Sequence, residues 1–92
     1  MILPFRCKDT EALYAGDSPR RFHAFQTEAE RKLQMLDSAN AIEDLRNPPG
    51  NRLEKLSGDR AGVWSIRINS QWRVCFRCEN GHAHDVEIVD YH

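Results

Sequence analysis

Residue types that handle phosphate and protons gather in the C-terminal half of the chain: Arg73 in Gln71-Trp72-Arg73, and Asp90, Tyr91 and His92 in the closing Val89-Asp90-Tyr91-His92. Arginine carries a planar fork of donors that fits two phosphate oxygens at once. An unperturbed imidazole changes charge near pH ~6.5 and so can accept or donate a proton. A phenol donates a hydrogen bond, orients a hydroxyl or stacks on a base, and a carboxylate can orient an imidazole or act as a base. This set suits phosphodiester cleavage in RNA. There the 2′-hydroxyl is a built-in nucleophile, and a general base, a general acid and charge stabilisation complete the chemistry without a metal.

The charge distribution supports a polyanion contact. The 92 residues have a formal net charge of −1, which argues against non-specific coating of nucleic acid. Residues 46 to 77, however, hold seven Lys/Arg against two Asp/Glu, whereas residues 1 to 45 hold six against eight and residues 78 to 92 hold none against four. A basic belt confined to one region fits a defined contact with RNA, and it also fits the wet face of a sheet. Arg60, Arg67 and Arg77 lie in that belt.

A chain of this length and composition is expected to form one soluble domain, residues 1 to 92, with a modest core. It has no run of about 18 apolar residues, and its opening MILPFRCKDTEAL is too short and too soon charged for a signal peptide, so the cytoplasm is expected and a membrane is not. Cys7, Cys75 and Cys78 form no even set for disulfides. Cys75 and Cys78 with His82 and His84 have a metal-like spacing, but the cysteines sit in a strand pattern where positions three apart face opposite ways. No metal and no cofactor are expected.

Chain order predicts the elements that must position these residues. MILPFR reads as a short edge strand limited by Pro4, and DTEALYAG as a short helix capped by Asp9 or Thr10 and stopped by Gly16. From Pro19 to Ser38, Phe22, Phe25, Ala29, Leu33 and Leu36 recur at helical spacing, predicting an amphipathic helix. NAIEDLRN adds a helical turn or two before Pro48-Pro49-Gly50. Period-two patterns follow in RLEKL, GVWSIRIN, QWRVCFRCE and HAHDVEIVDYH. Helices first and strands afterwards predict an α+β fold, with N-terminal helices packed on one face of a small antiparallel sheet.

Parity then assigns the faces. Trp64, Ile66 and Ile68 share a face with Trp72, Val74 and Phe76 if Ile68 opposes Trp72 across a three-residue loop, Asn69-Ser70-Gln71. The other face carries Arg67 beside Arg73, with Ser65, Cys75 and Arg77. The same argument aligns Val86 with Phe76 and Ile88 with Val74 through a three-residue loop, Asn80-Gly81-His82, because a two-residue Asn-Gly hairpin, the commoner choice, would turn both away from the core. Val89 then opposes Arg73, and Tyr91 is its diagonal neighbour beside the arginine row.

The string NRLEKLSGDRAGVWSIRINSQWRVCF with the closing EIVDYH resembles the HigB branch of the RelE-like toxins of bacterial type II toxin–antitoxin systems, nearest the GraT type. The resemblance runs over nearly the whole chain. It implies a microbial RNase-like fold and a metal-independent endoribonuclease, an mRNA interferase that cleaves mRNA on the translating ribosome through the RNA 2′-hydroxyl. Arg73 matches the phosphate-binding arginine and Asp90, Tyr91 and His92 the terminal active-site residues, while Arg60 and Arg67 fall in the basic surface. Where well-studied members have a histidine in L-H-x-L, this chain has Glu54 in L-E-K-L. A carboxylate can replace imidazole as base but cannot share a cationic role toward phosphate. The implied partners are the ribosome, mRNA, a small helix-turn-helix antitoxin of the HigA type and, through that antitoxin, operator DNA.

Two other functions compete with this one. A same-fold toxin directed at gyrase rather than RNA generally lacks the terminal Asp-Tyr-His cluster. A regulatory module would use the basic strip to dock antitoxin or DNA, with Glu54 marking a lost nuclease site; it predicts partner binding without RNA cleavage.

Overall fold

The computed structural model describes Ile2, residues 5–56 and residues 62–90. Four strands, β1 (Glu54–Lys55), β2 (Val63–Arg67), β3 (Trp72–Glu79) and β4 (His82–Asp90), pair antiparallel in the order β1-β2-β3-β4. Between β2 and β3 the register is the one that parity demands: Arg67 pairs with Arg73, Ser65 with Cys75 and Ile66 with Val74. Asn69 closes the connecting loop by accepting the amides of Gln71 and Trp72 on Oδ1, both at 2.8 Å. A side-chain oxygen that takes two successive amides stands in for the backbone in a tight turn.

The β3–β4 hairpin meets the same core requirement by a different device. Val74 pairs with Ile88 and Arg73 with Val89, as expected, but Glu79 pairs with His82, so the turn has two residues, Asn80 and Gly81, at φ 53° and 79°. A bulge between the Cys75 and Arg77 pairs takes up the difference, and Asp85, at φ 53°, lies in it. One extra residue reverses the alternation of a strand. Ala83 before the bulge and Val86 and Ile88 after it are therefore all buried. The predicted three-residue turn is corrected on this ground: strict alternation leaves no place for a bulge.

The helices cover one face of the sheet. Helix α1 (Lys8–Tyr14) follows Cys7, which holds the N-cap position without a side-chain capping hydrogen bond, and the expected cap residues Asp9 and Thr10 lie inside it. Thr10 is buried, and its hydroxyl accepts the Ile88 amide at 3.0 Å. A buried strand N–H must find an acceptor, and this one finds it in the helix rather than in another strand. The apolar stretch from Pro19 to Ser38 divides into a 3-10 segment, Arg20–Phe25, and helix α2 (Gln26–Ser38). Residues three apart eclipse in a 3-10 segment, so Phe22 and Phe25 point the same way. Their rings lie 6.0 and 5.0 Å from that of Trp72. Ala29, Leu33 and Leu36 of α2 continue the buried face.

Two further 3-10 turns, Ile42–Arg46 and Pro49–Asn51, lead to β1. The N-terminal stretch reaches the sheet through two isolated parallel bridges to β4, Ile2 with Ala83 and Phe5 with Val86, in place of the expected edge strand. Asp37 of α2 ties it down, accepting the Ile2 amide at 2.9 Å and the Tyr14 hydroxyl at 2.6 Å. Burial, with the carboxylate beside it, pushes the Tyr14 phenol up to about 12, and the Tyr14 hydrogen bond holds Asp37 below its usual range. Among the described residues no helix is long and apolar enough to cross a membrane.

Candidate active site

The arginine face of the sheet is more enclosed at its centre than a wet face would be. Ser65, Arg73 and Cys75 are buried there, while Arg67 is half-buried and Arg77 exposed. A guanidinium can be buried only when its donors meet acceptors. Arg73 donates from Nε to Ser65 Oγ at 2.8 Å, and from Nη2 to the main-chain oxygens of Arg52 and of Ser65, the latter at 3.3 Å. Glu54 Oε2 stands 4.0 Å from Nη2.

The loop ahead of β1 supplies the Arg52 carbonyl. The Ile42–Arg46 segment stops short of Pro48, the Pro49–Asn51 turn follows, and Arg52 ends that turn in the left-handed region at φ 45°. Asn51 is fully buried and braces this turn, donating from Nδ2 to the carbonyls of Leu45 at 3.2 Å and Asn47 at 3.5 Å. Its Oδ1 accepts the Lys32 ammonium from α2, and burial pushes that ammonium below the usual lysine range.

These supports frame a polar cleft of about 360 Å³ lined by Arg52, Glu54, Arg67, Asn69, Ser70 and Arg73. Arg67 is steered by a hydrogen bond from Nε to the Asn69 carbonyl at 3.1 Å. Three guanidinium groups against one carboxylate give the cleft a positive balance, and a concave wall concentrates that field on an anion. Of the residues singled out from the sequence, the structure brings Glu54, Arg67 and Arg73 together.

Others fall elsewhere. Arg77 opposes Val63 and His84 farther along the sheet and meets Glu79 at 3.3 Å, outside the cleft. Asp90 pairs with Trp72, which puts it on the opposite face from Arg73, and its Oδ2 accepts Gln71 Nε2 at 3.0 Å. Arg60, Tyr91 and His92 lie outside the described residues. Cys75 pairs with Glu87 and Cys78 with Ala83, so the two cysteines occupy opposite faces of β3.

Arg52 and Ser65 join the site without a sequence motif that announces them. Ser65 was legible as a small polar residue on the arginine face, although a buried acceptor and a solvated serine look the same there. Arg52 contributes a carbonyl, which no side-chain pattern announces.

A family model described as the RelE-like toxin of type II toxin–antitoxin system HigB matches residues 4–92. Toxin HigB-1 of Vibrio cholerae is 42% identical over 85 residues, 90% of this chain and 90% of that protein. Endoribonuclease HigB of Proteus vulgaris is 41% identical over 61 residues, 66% of this chain and 65% of that protein. Among solved structures, a chain of the heterotetrameric YoeB–YefM toxin–antitoxin complex from Staphylococcus aureus superposes with a TM-score of 0.58 at 17% identity, covering 100% of this chain and 98% of that one. This last likeness is one of fold, an α+β arrangement of helices on a four-stranded antiparallel sheet. Matched along nearly its full length by the family model, the chain belongs to the HigB-like family of RelE-like toxins of type II toxin–antitoxin systems.

Proposed function

We propose that this toxin is a metal-independent endoribonuclease that cleaves mRNA held on the ribosome and so inhibits translation. The observation that carries the reading is the fixed Arg73 guanidinium in a cleft shared with Arg52, Arg67 and Glu54. Endoribonuclease activity is named for the Proteus vulgaris relative, and the present cleft supplies the residue types that such a reaction uses.

In this reading Arg73 neutralises the scissile phosphate as negative charge builds on its oxygens. Glu54, the carboxylate in the same cleft, takes the proton from the 2′-hydroxyl. The 2′-oxygen attacks phosphorus, the bond from phosphorus to the 5′-oxygen breaks, and His92 donates the proton that the departing 5′-oxygen requires. A 2′,3′-cyclic phosphate and a 5′-hydroxyl result, so atoms and charge balance without a metal. Tyr91 orients the 2′-hydroxyl or stacks on the adjoining base, and Asp90, at the edge of the sheet, supports the terminal segment. Arg67 and Arg52 hold the neighbouring backbone, with Arg60 as an outer contact, while Arg77, drawn to Glu79 outside the cleft, is left off the RNA path.

A single small cleft supplies little base reading, so the ribosome is expected to hold the codon in place and supply the orientation the protein lacks. The toxin acts in the cytoplasm. Its antitoxin is a helix-turn-helix protein of the HigA type, and the pair binds its own operator DNA.

The test is cleavage of a defined mRNA by the purified chain, with and without programmed ribosomes, in EDTA, comparing wild type with Arg73→Ala and with a variant lacking His92. Cleavage that requires ribosomes, survives EDTA and drops to a small residual rate in both variants is the expected result. A folded, antitoxin-binding wild type that cuts no RNA would transfer the weight to a regulatory role for the basic cleft.

A further inference from the structure

Arg73 is anchored from two directions. Ser65, fully buried on β2, accepts Nε, and the carbonyl of Arg52, in the loop before β1, accepts Nη2. These contacts occupy one edge of the guanidinium plane and leave the group little freedom to rotate. The two anchors come from chain segments with different supports. Ser65 sits on β2 between Glu54 of β1 and Cys75 of β3. The Arg52 carbonyl depends on the turn that Asn51 braces to Leu45, Asn47 and Lys32. Side-chain packing around a serine of this size does not require its hydroxyl; an acceptor aimed at Nε does.

We propose that Ser65 and Asn51 are positioning residues of the nuclease: Ser65 sets the Arg73 guanidinium directly, Asn51 sets it through the Arg52 carbonyl, and together they present it preformed to the scissile phosphate. The inference rests on the nuclease reading and deepens it by explaining why this arginine is buried while Arg67 on the same face is not. A flexible cation would first have to be ordered when the phosphate arrives, whereas a preset one stabilises the developing charge without reorganisation. The brace also links α2 to the cleft, since Lys32 is the donor to Asn51 Oδ1.

The test is single-turnover and steady-state cleavage of ribosome-bound mRNA by wild type, Ser65→Ala, Asn51→Ala, Arg73→Ala and the Ser65→Ala/Arg73→Ala double variant. Urea unfolding is followed on each, and the Arg73 Nε–H resonance is followed in the wild type and Ser65→Ala. Expected for Ser65→Ala is a fall in kcat of roughly tenfold to a hundredfold with KM changed little, the size that a small misplacement of a catalytic group produces. In the Arg73→Ala background the same substitution should have no further effect on kcat, because its purpose is already gone. The Nε–H of wild type should exchange slowly, and that protection should vanish in Ser65→Ala.

Wild-type kcat in a folded Ser65→Ala, additive losses in the double variant, or a rapidly exchanging Nε–H in wild type would each overturn the inference. A wild type that cleaves and a strongly impaired Arg73→Ala, together with a fully active Ser65→Ala, rejects the positioning role and keeps the nuclease. A wild type without cleavage rejects both, and the two failures are thereby separated. Asn51→Asp, which keeps an acceptor for Lys32 but donates to neither the Leu45 nor the Asn47 carbonyl, serves where Asn51→Ala fails to fold, and wild-type kcat in either folded Asn51 variant overturns the part assigned to Asn51.

Discussion

Arg73 and Glu54 face each other in the cleft, with Nη2 of one 4.0 Å from Oε2 of the other and side-chain exposures of 9% and 52%. The arginine is fixed and the carboxylate is free to swing, so an arriving phosphate would displace Glu54 from the arginine rather than move the arginine. Under the proposed mechanism the freed carboxylate would be the base that takes the 2′-hydroxyl proton.

Glu54→Gln separates these two roles. Removing a partly exposed carboxylate from a phosphate site should tighten binding of a non-cleavable 2′-O-methyl RNA by up to roughly fivefold, the worth of an exposed ion pair. Losing a general base should at the same time lower cleavage by about 10²- to 10⁴-fold. Fluorescence anisotropy and single-turnover cleavage measure the two effects. Tighter binding with unchanged cleavage would remove Glu54 from the chemistry.

Arg67 and Arg77 sit on the same face of the sheet, yet one lines the cleft and the other meets Glu79 outside it. Arg67→Ala should weaken binding of single-stranded RNA and reduce the slope of log K against log salt by about 0.7, the counterion share of one phosphate contact. Arg77→Ala should leave that slope within error. A titration from low to moderate salt distinguishes them, and equal effects would show that the whole face, not the cleft, meets RNA.

The Asp37–Tyr14 pair sets an expectation for stability against pH. Asp37 titrates lower in the folded chain than its ordinary value of 3.8, held there chiefly by the Tyr14 hydrogen bond. Its contribution is therefore complete above that value and is lost as pH falls through the lowered one. Tyr14 moves the other way, from 10.0 to about 12, so its contribution is complete below pH 10.0 and disappears as pH climbs toward 12. Urea midpoints across pH should decline at both extremes. Tyr14→Phe should flatten the alkaline decline and cost about 1–3 kcal/mol near neutrality, the value of a hydrogen bond to a charged acceptor. An unaltered alkaline limb in that variant would assign the loss to other groups.

The hairpin turn and its bulge should be sensitive to side-chain branching. Gly81 has φ 79°, and a Cβ there would come within 3.1 Å of the Asn40 carbonyl oxygen. Gly81→Ala should destabilise by about 1–2 kcal/mol through the left-handed backbone and this approach. Asp85→Val, placing a β-branched residue at φ 53°, should cost a similar ~1–2 kcal/mol. Asp85→Asn, which tolerates that conformation, should be nearly neutral. Thermal or urea unfolding provides the comparison, and a neutral Asp85→Val would mean the bulge relaxes.

Alternation of apolar residues by itself determined the β2–β3 register, the pairing of Arg67 with Arg73 and the alignment of Val74 with Ile88, because burial of one sheet face allows no slip of a single residue. The ordered strings around LEKLSGDR, WSIRIN and QWR were enough to point to the family. Only the tertiary structure decided the rest. The Asn80-Gly81 hairpin coexists with a buried Val86 because Asp85 bulges, a step that strict parity cannot contain. Phe22 and Phe25 wind as a 3-10 segment that sets both rings against Trp72, and a spacing of three is compatible with either helix. Arg73 is buried because a serine hydroxyl on β2 and a main-chain carbonyl from a distant loop converge on it, and such convergence is a property of the folded chain rather than of neighbours in sequence. Asp90 faces away from Arg73 by the same pairing with Trp72 that orders the edge of the sheet. Period and motif are local quantities, read from residues a few positions apart; a preset guanidinium in a cleft is a long-range one, assembled from α2, a proline-bounded turn and three strands.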